Sequence, residues 1–154
     1  MARGRASFRY DGDVARTLKT RIQAAAADCY ARFCAVPTLV DWVPGLVRAE
    51  LVGTDGDGRP AEVRFVARLT DGRTLEYTLL YAHDAPRRRV AWMPGDNTSN
   101  AVRGFATFDE APGGGCEMCY ALELQSSRTE NADEMLAEAR RVVEAFKQWT
   151  EARR

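Results

Sequence analysis

The stretch that decides the fold is ENADEMLAEARRVVEAFKQWTEAR, from Glu130 to Arg153. Its apolar residues recur at the spacing of one helical face: Met135, Leu136, Ala139, Val142, Val143, Phe146 and Trp149. Asn131 and Glu134 have the spacing of a capping box, in which each side chain satisfies a free backbone donor. The sequence therefore predicts a long amphipathic helix whose aromatic stripe packs on the rest of the fold. Its apolar run is too short and too interrupted to span a bilayer.

The composition favours a single domain over 1–154 with an uncharged or apolar partner. The chain has 154 residues, and its 22 basic and 22 acidic side chains give a net charge of zero. No overall field attracts nucleic acid or anionic lipid. Residues 1–12 contain basic side chains but no apolar segment of the kind that a signal peptide needs. We therefore expect a cytoplasmic protein without a transmembrane segment and with no nucleic-acid partner.

The chain has four cysteines, which could form disulfides or bind zinc. Cys29 and Cys34 lie five apart in a predicted helix, and Cys116 and Cys119 lie in a predicted strand whose alternation points them to opposite faces. These spacings favour structural thiols. No metal site and no cofactor is expected.

The N-terminal part is predicted to form a strand and two helices. Residues 14–22 alternate between apolar and basic side chains, as in a half-buried strand. The run from 24 to 35 changes to a helical period and places Tyr30 and Phe33 on one face before Pro37. A short helical turn is expected at 38–41.

From Leu46 onward the chain alternates strands with turn signals, which are TDGDG at 54–58, TDG at 70–72, HDAPR at 83–87 and APGGG at 111–115. Between these signals apolar and polar side chains alternate at 63–69 and at 74–81, which predicts two strands with one apolar face. Further strands are predicted at 87–94, 99–108 and 116–125. The fold class is therefore α+β: a curved antiparallel β-sheet of about seven strands wrapped around a long C-terminal α-helix, with two short helices after the first strand.

This order resembles the START, polyketide cyclase and coenzyme Q-binding superfamily, also called SRPBCC, from about Val14 to Trp149. The features that carry the resemblance are WVPG at 42–45, Val90 and Trp92 after an arginine-rich turn, RGFATF at 103–108, a glycine-rich hairpin and the closing helix. The resemblance implies a helix-grip fold with a long apolar cavity between the sheet and the C-terminal helix. Members bind lipids, quinones, polyketides or hormones there, and a minority catalyse reactions.

The residues themselves point to the same interior. Gly104 and Ala106 are small and share the face of Phe108, which suggests either a close approach of another group or a volume for a ligand. The tyrosines and tryptophans supply aromatic surface with polar tips, as an apolar pocket with a few orienting hydrogen bonds requires. The residues expected to line the cavity are Trp42, Phe65, Tyr77, Leu79, Tyr81, Trp92, Gly104, Ala106, Met118, Tyr120, Val142 and Phe146.

His83 is the single histidine, and its turn signal favours a solvent-exposed residue over a general base. Arg87, Arg88 and Arg89 are expected to form a solvated basic run. The glycines at 113–115 join strands, whereas phosphate-binding loops open a helix. No catalytic residue is identified.

Three functions remain open. The first is binding or transport of a hydrophobic small molecule such as a lipid, a quinone or a polyketide-like compound. The second is a polyketide aromatase/cyclase or dehydratase in the same cavity, although TLEYTLLY at 74–81 replaces the Trp and Ser/Arg pattern of the cyclases. The third is a protein-interaction module, and a homodimer is also left open.

Overall fold

The computed structural model describes residues 15–95, 103–123 and 132–153. The elements, in order, are β1 (Ala15–Ile22), α1 (Ala26–Phe33), α2 (Leu39–Trp42), β2 (Leu46–Thr54), β3 (Pro60–Arg68), β4 (Thr74–Asp84), β5 (Arg89–Pro94), β6 (Gly104–Glu110), β7 (Cys116–Glu123) and α3 (Ala132–Ala152). Short 3-10 turns occupy Val36–Thr38 and Ala85–Arg87. The predicted element ends at 14, 99–102, 124–125 and 130, and the capping pattern at Asn131, lie outside the described residues.

The strands form one seven-stranded sheet in the order β1-β7-β6-β5-β4-β3-β2, with β1 and β2 at its edges. Every neighbouring pair is antiparallel. Strands β2 to β7 follow one another in the chain and in the sheet, so short hairpins connect most of them. The predicted α+β helix-grip architecture is confirmed.

The predicted turns at 70–72 and 111–115 join β3 to β4 and β6 to β7. Gly72 has φ 90°, a conformation that a residue without a Cβ adopts at little cost. The prediction for 83–87 is wrong in part, because β4 continues through His83 and Asp84 and the turn begins at Ala85. Strand pairing of His83 with Val90 extends the hairpin beyond the point at which the turn residues appear in the sequence.

Helix α3 lays its apolar stripe on the concave face of the sheet, as predicted. Ala139, Val143 and Phe146 are buried, and Phe146 is completely enclosed. Arg141 forms an ion pair with Glu138 on the solvent side. Lys147 lies near the end of the helix, where its Nζ is 2.7 Å from a carboxylate oxygen of Glu151 and donates to the carbonyl of Arg21 at 2.7 Å. These contacts attach the end of α3 to β1.

Candidate functional site

Strand register brings the predicted sheet residues to one concave face. Directly paired residues of antiparallel strands lie on the same side of a sheet. Phe65 pairs with Tyr77, Tyr81 with Trp92, Trp92 with Gly104, Ala106 with Tyr120, and Phe108 with Met118. Because β4 alternates, Leu79 shares this face with Tyr77 and Tyr81. The predicted phase of β6 is thus correct, since Ala106 and Phe108 are fully buried.

One half of the concave face is closed by aromatic side chains, and Phe33 lies at its centre. The ring of Phe33, the last residue of α1, lies 5.4 Å from that of Phe146 and 5.4 Å from that of Phe108. It also lies 5.6 Å from Trp42 and 6.0 Å from Trp92, centre to centre. Such offset and edge-on arrangements are favourable beyond the area they bury. The helical period of α1 predicts an inward Phe33, but nothing local in the sequence indicates how far it reaches.

Gly104 permits close packing and leaves no open volume above it. A Cβ atom at this position would lie 2.6 Å from the carbonyl oxygen of Ala121 and 2.7 Å from the indole ring of Trp92. Of the two interpretations of the small residues on β6, the close approach is therefore the one that applies at Gly104. The ligand volume, which is the other interpretation, does not apply at Gly104, because the indole from the neighbouring strand covers the glycine.

The other half of the face is less enclosed. Tyr77, Leu79 and Tyr81 on β4 are only partly buried, and Val142 on α3 is also partly exposed. Phe65 stacks on Tyr77 with ring centres 5.2 Å apart. This open half-face, which we define by Phe65, Tyr77, Leu79, Tyr81, Tyr120 and Val142, combines apolar area with three phenol groups.

The phenol groups of Tyr77, Tyr81 and Tyr120 are near one another and remain protonated. Burial, with the negative charge of Glu138 as a smaller contribution, raises the pKa of Tyr77 to about 12. Burial also raises the pKa of Tyr81 and of Tyr120, and the Tyr77 phenol adds to both shifts. Among the described residues none forms a hydrogen bond with these hydroxyls. Tyr77 and Tyr81 are partly exposed, and Tyr120 is buried with a small exposed fraction. They are available as donors and acceptors to a molecule on the open half-face.

His83 is not the exposed turn residue that its sequence context predicts. It lies at the end of β4 and is partly buried, with Nε2 2.8 Å from the carbonyl oxygen of Pro60 and Nδ1 2.9 Å from the hydroxyl of Tyr30. A carbonyl accepts only, so Nε2 carries the proton and the Tyr30 hydroxyl donates to Nδ1. Burial lowers the pKa of His83 and raises that of Tyr30 to about 12, so both are neutral near pH 7.

This hydrogen-bonded pair borders a small pocket that sequence reasoning missed. The pocket has room for about one water molecule and is lined by Phe33, Cys34, Val36, Leu39, Pro60, Tyr81 and His83. Burial raises the pKa of Cys34 to about 12, so its thiol is protonated and a poor nucleophile. The helical period of α1 predicts that Tyr30 and Phe33 lie on one apolar face. It does not predict their partners, which lie on strands distant in the sequence.

Within the described chain, the other three cysteines are neither paired in disulfides nor placed to hold a metal ion. All four cysteines are free. Cys116 is buried on the concave face against Cys29, and Cys119 is partly exposed beside Thr107, which confirms the predicted opposite orientations. In the part of the chain that the structure describes, no three His, Cys, Asp or Glu side chains are placed to hold a metal ion. The helices within the same ranges are too short or too polar to cross a membrane.

The indole nitrogen of Trp42 is buried without a hydrogen-bond partner among the described residues, as are Nε1 of Trp149 and the hydroxyl of Thr150. Trp42 is buried, with its ring 4.8 Å from that of Phe146, and its Nε1 is enclosed without a hydrogen-bond acceptor among the described residues. An unpaired buried donor has a cost of roughly 1–3 kcal/mol and calls for an explanation. Trp42 is among the residues expected to line the ligand cavity, but its Nε1 is enclosed within the closed half.

Comparison with known proteins identifies the fold and not a close relative. No family model matches the sequence, and no curated protein matches it. Solved structures do match. A START superfamily protein from Mycobacterium smegmatis superposes with a TM-score of 0.71 at 12% identity, covering 88% of this chain and 98% of that one. The di-domain ARO/CYC StfQ from the steffimycin biosynthetic pathway has a TM-score of 0.71 at 17% identity, over 88% of this chain and 44% of its own. Ara h 8.0201 has a TM-score of 0.69 at 14% identity, over 90% and 97% of the two chains.

Proposed function

From its START-type helix-grip fold, we propose that this protein binds a hydrophobic small molecule, such as a lipid, a quinone or a polyketide-like compound, on the open half-face between β4 and α3. The ligand would bury apolar area against Phe65, Leu79 and Val142. It would place an oxygen among the hydroxyls of Tyr77, Tyr81 and Tyr120.

The observation that carries the proposal is the set of three protonated phenols on an otherwise apolar face, without hydrogen-bond partners among the described residues. Buried or half-buried polar groups normally have partners, and a mostly apolar surface with a few converging polar groups is the usual composition of a ligand site. A ligand with one or two oxygens on an apolar body matches this arrangement.

The closed half changes which predicted residues contact the ligand. Ala106, Met118 and Phe146 are fully buried by protein side chains, and Trp92 covers Gly104. The proposal therefore places the ligand beside Tyr77, Leu79 and Tyr81 and leaves the closed half as the supporting wall.

Two adjacent residues of β4 provide a matched test. Leu79 lies on the concave face, and Leu80 lies on the outer face, where it is exposed. Leu79→Trp is expected to fill the open half-face and to weaken binding of an environment-sensitive apolar dye at least about tenfold, whereas Leu80→Trp leaves dye affinity unchanged. Both variants are checked for a cooperative thermal transition. Equal dye affinity of wild type and both variants contradicts the proposed site.

The Tyr30–His83 pair supports a second candidate, an enzyme that moves a proton in the manner of a cyclase or dehydratase. A substrate proton passes to the Tyr30 oxygen while the phenol proton passes to Nδ1 of His83, which becomes a cation held by the carbonyl of Pro60. With a β-polyketone test substrate, Tyr30→Phe and His83→Gln are both expected to remove turnover without removing dye binding. Turnover by wild type that persists in both variants excludes this role for the pair.

A further inference from the structure

The outer edge of β2 is the most apolar exposed region among the described residues. These residues contain five large hydrophobic side chains that are exposed, and four of them lie on α2 or β2, namely Val40, Val47, Leu51 and Val52. α2 packs beside β2, so the four belong to one end of the molecule. Clustered exposed apolar side chains next to an open strand indicate an interaction surface.

The backbone of this edge is available for pairing. β2 is hydrogen-bonded to β3 on one side and is the last strand of the sheet. Within the described chain, its other backbone hydrogen bonds occur only next to its ends, at Leu46 and Asp55. The register with β3 shifts after Leu46 and after Leu51, and the segment from Arg48 to Leu51 between those shifts is regular. A regular edge segment presents alternating N–H and C=O groups that a further strand can bind.

The order of residues on this segment is self-complementary. The sequence VRAEL at 47–51 reads apolar, basic, alanine, acidic, apolar. In an antiparallel pair with a two-fold axis at Ala49, Arg48 lies opposite Glu50 of the second copy, and Glu50 lies opposite Arg48 of the second copy. The same axis brings Leu51 close to Val47, which lies at the register shift after Leu46 and outside the regular segment. Two-fold contacts are always of this reciprocal kind.

We propose that two copies of this chain associate through their β2 edges, in antiparallel register centred on Ala49, to form a continuous sheet. Glu50 already lies 3.3 Å from Arg64 of its own chain, but both side chains are about half-exposed and leave room for a second cation. Opposite charges directly across antiparallel strands are favourable, and like charges are unfavourable. A single strand pair with adjacent valines buries less area than a permanent dimer does, so the association is reversible and depends on concentration.

The opposite edge of the sheet lacks these properties. Lys19 and Arg21 on β1 are basic, and β1 pairing with itself would bring like charges together. The end of β1 is also occupied, because Lys147 of α3 donates to the carbonyl of Arg21 at 2.7 Å. A second copy is therefore expected at β2 and not at β1.

Charge reversal provides a test that depends on the register. In the variant R48E the introduced carboxylate lies opposite Glu50 of the second copy, and in E50R the introduced guanidinium lies opposite Arg48 of the second copy. Each variant alone is expected to have a dimer dissociation constant at least about tenfold higher than that of the wild type. Sedimentation velocity across a wide range of protein concentrations measures this constant. Lys19→Glu on β1 is the matched control and is expected to dimerise like the wild type.

Mixing the two variants gives the decisive result. In a heterodimer of R48E with E50R, each glutamate again lies opposite an arginine, so the mixture is expected to dimerise although neither component does. Circular dichroism of each variant confirms that the fold is unchanged. A wild type that stays monomeric at every concentration overturns the proposal. So does a mixture that remains monomeric, or a wild-type dimer that is weakened by Lys19→Glu and not by R48E.

Discussion

Phe146 provides the strongest test of how α3 is held. It is fully buried, and its ring contacts those of Trp42 at 4.8 Å, Phe33 at 5.4 Å and Phe108 at 6.2 Å. Replacing a buried phenylalanine with alanine costs roughly 3–5 kcal/mol. Because three ring pairs from three different elements are lost together, we expect Phe146→Ala near the upper end of that range, at about 5 kcal/mol.

A loss of that size is large for a domain whose total stability is roughly 5–15 kcal/mol, and it should lower the Tm by about 10–20 °C. Urea unfolding followed by far-UV circular dichroism measures the free energy of unfolding directly. Gln148→Ala, two residues away on the exposed side of α3, serves as the control and should change stability by less than about 0.5 kcal/mol. A cost below about 1 kcal/mol for Phe146→Ala would refute the view that α3 and the closed half form one packed unit.

Three further predictions follow from single positions. Gly104→Ala should cost about 1–3 kcal/mol because its Cβ would lie 2.6 Å from a carbonyl oxygen. The control Gly53→Ala should be nearly neutral because no heavy atom lies within 4 Å of its added Cβ. Thermal melting compares the two variants, and equal melting temperatures would contradict the close packing at Gly104. Ala106→Trp should cost about 1–3 kcal/mol or more since Ala106 is fully enclosed, and a variant as stable as wild type would show that the closed half contains a cavity. Stability should fall as the pH drops below about 6.5, because burial lowers the pKa of His83 in the folded state and the unfolded state then binds the extra proton. This decrease should level off below the folded-state pKa and be absent in His83→Gln, and an identical pH dependence of both proteins between about pH 5 and pH 7 would contradict the burial of His83.

The charged imidazole can still donate to Pro60 and to the Tyr30 oxygen, so the pH effect comes from desolvation and not from broken hydrogen bonds. Removing the side chain has a different consequence. His83→Ala leaves the Tyr30 hydroxyl and the Pro60 carbonyl without these partners, so we expect a cost of roughly 1–3 kcal/mol, whereas replacing a solvent-exposed histidine would change stability by less than about 0.5 kcal/mol.

Local periodicity determined most of the fold. The apolar stripe of α3, the alternation along β3 and β4, and the glycine turns at 70–72 and 111–115 each specify an element without help from distant residues. Alternation also fixed the inward phase of Ala106 and Phe108, because the side-chain period of a strand is two and a phase error would place both in solvent. Order and type of the elements then sufficed to predict the helix-grip architecture.

Tertiary structure alone decided what fills the interior. Trp92 covers Gly104, and Phe33 from α1 enters the space between the sheet and α3. These contacts join residues that are far apart in the chain, and a small residue in a strand has the same local pattern whether a ligand or an indole lies above it. The prediction that His83 is exposed is wrong for the same reason. Its neighbours in the sequence are turn residues, but α1 brings Tyr30 and β3 brings Pro60 into contact with it. Sequence periodicity predicts the face on which a side chain lies, and only the packing of distant elements determines which groups that side chain contacts.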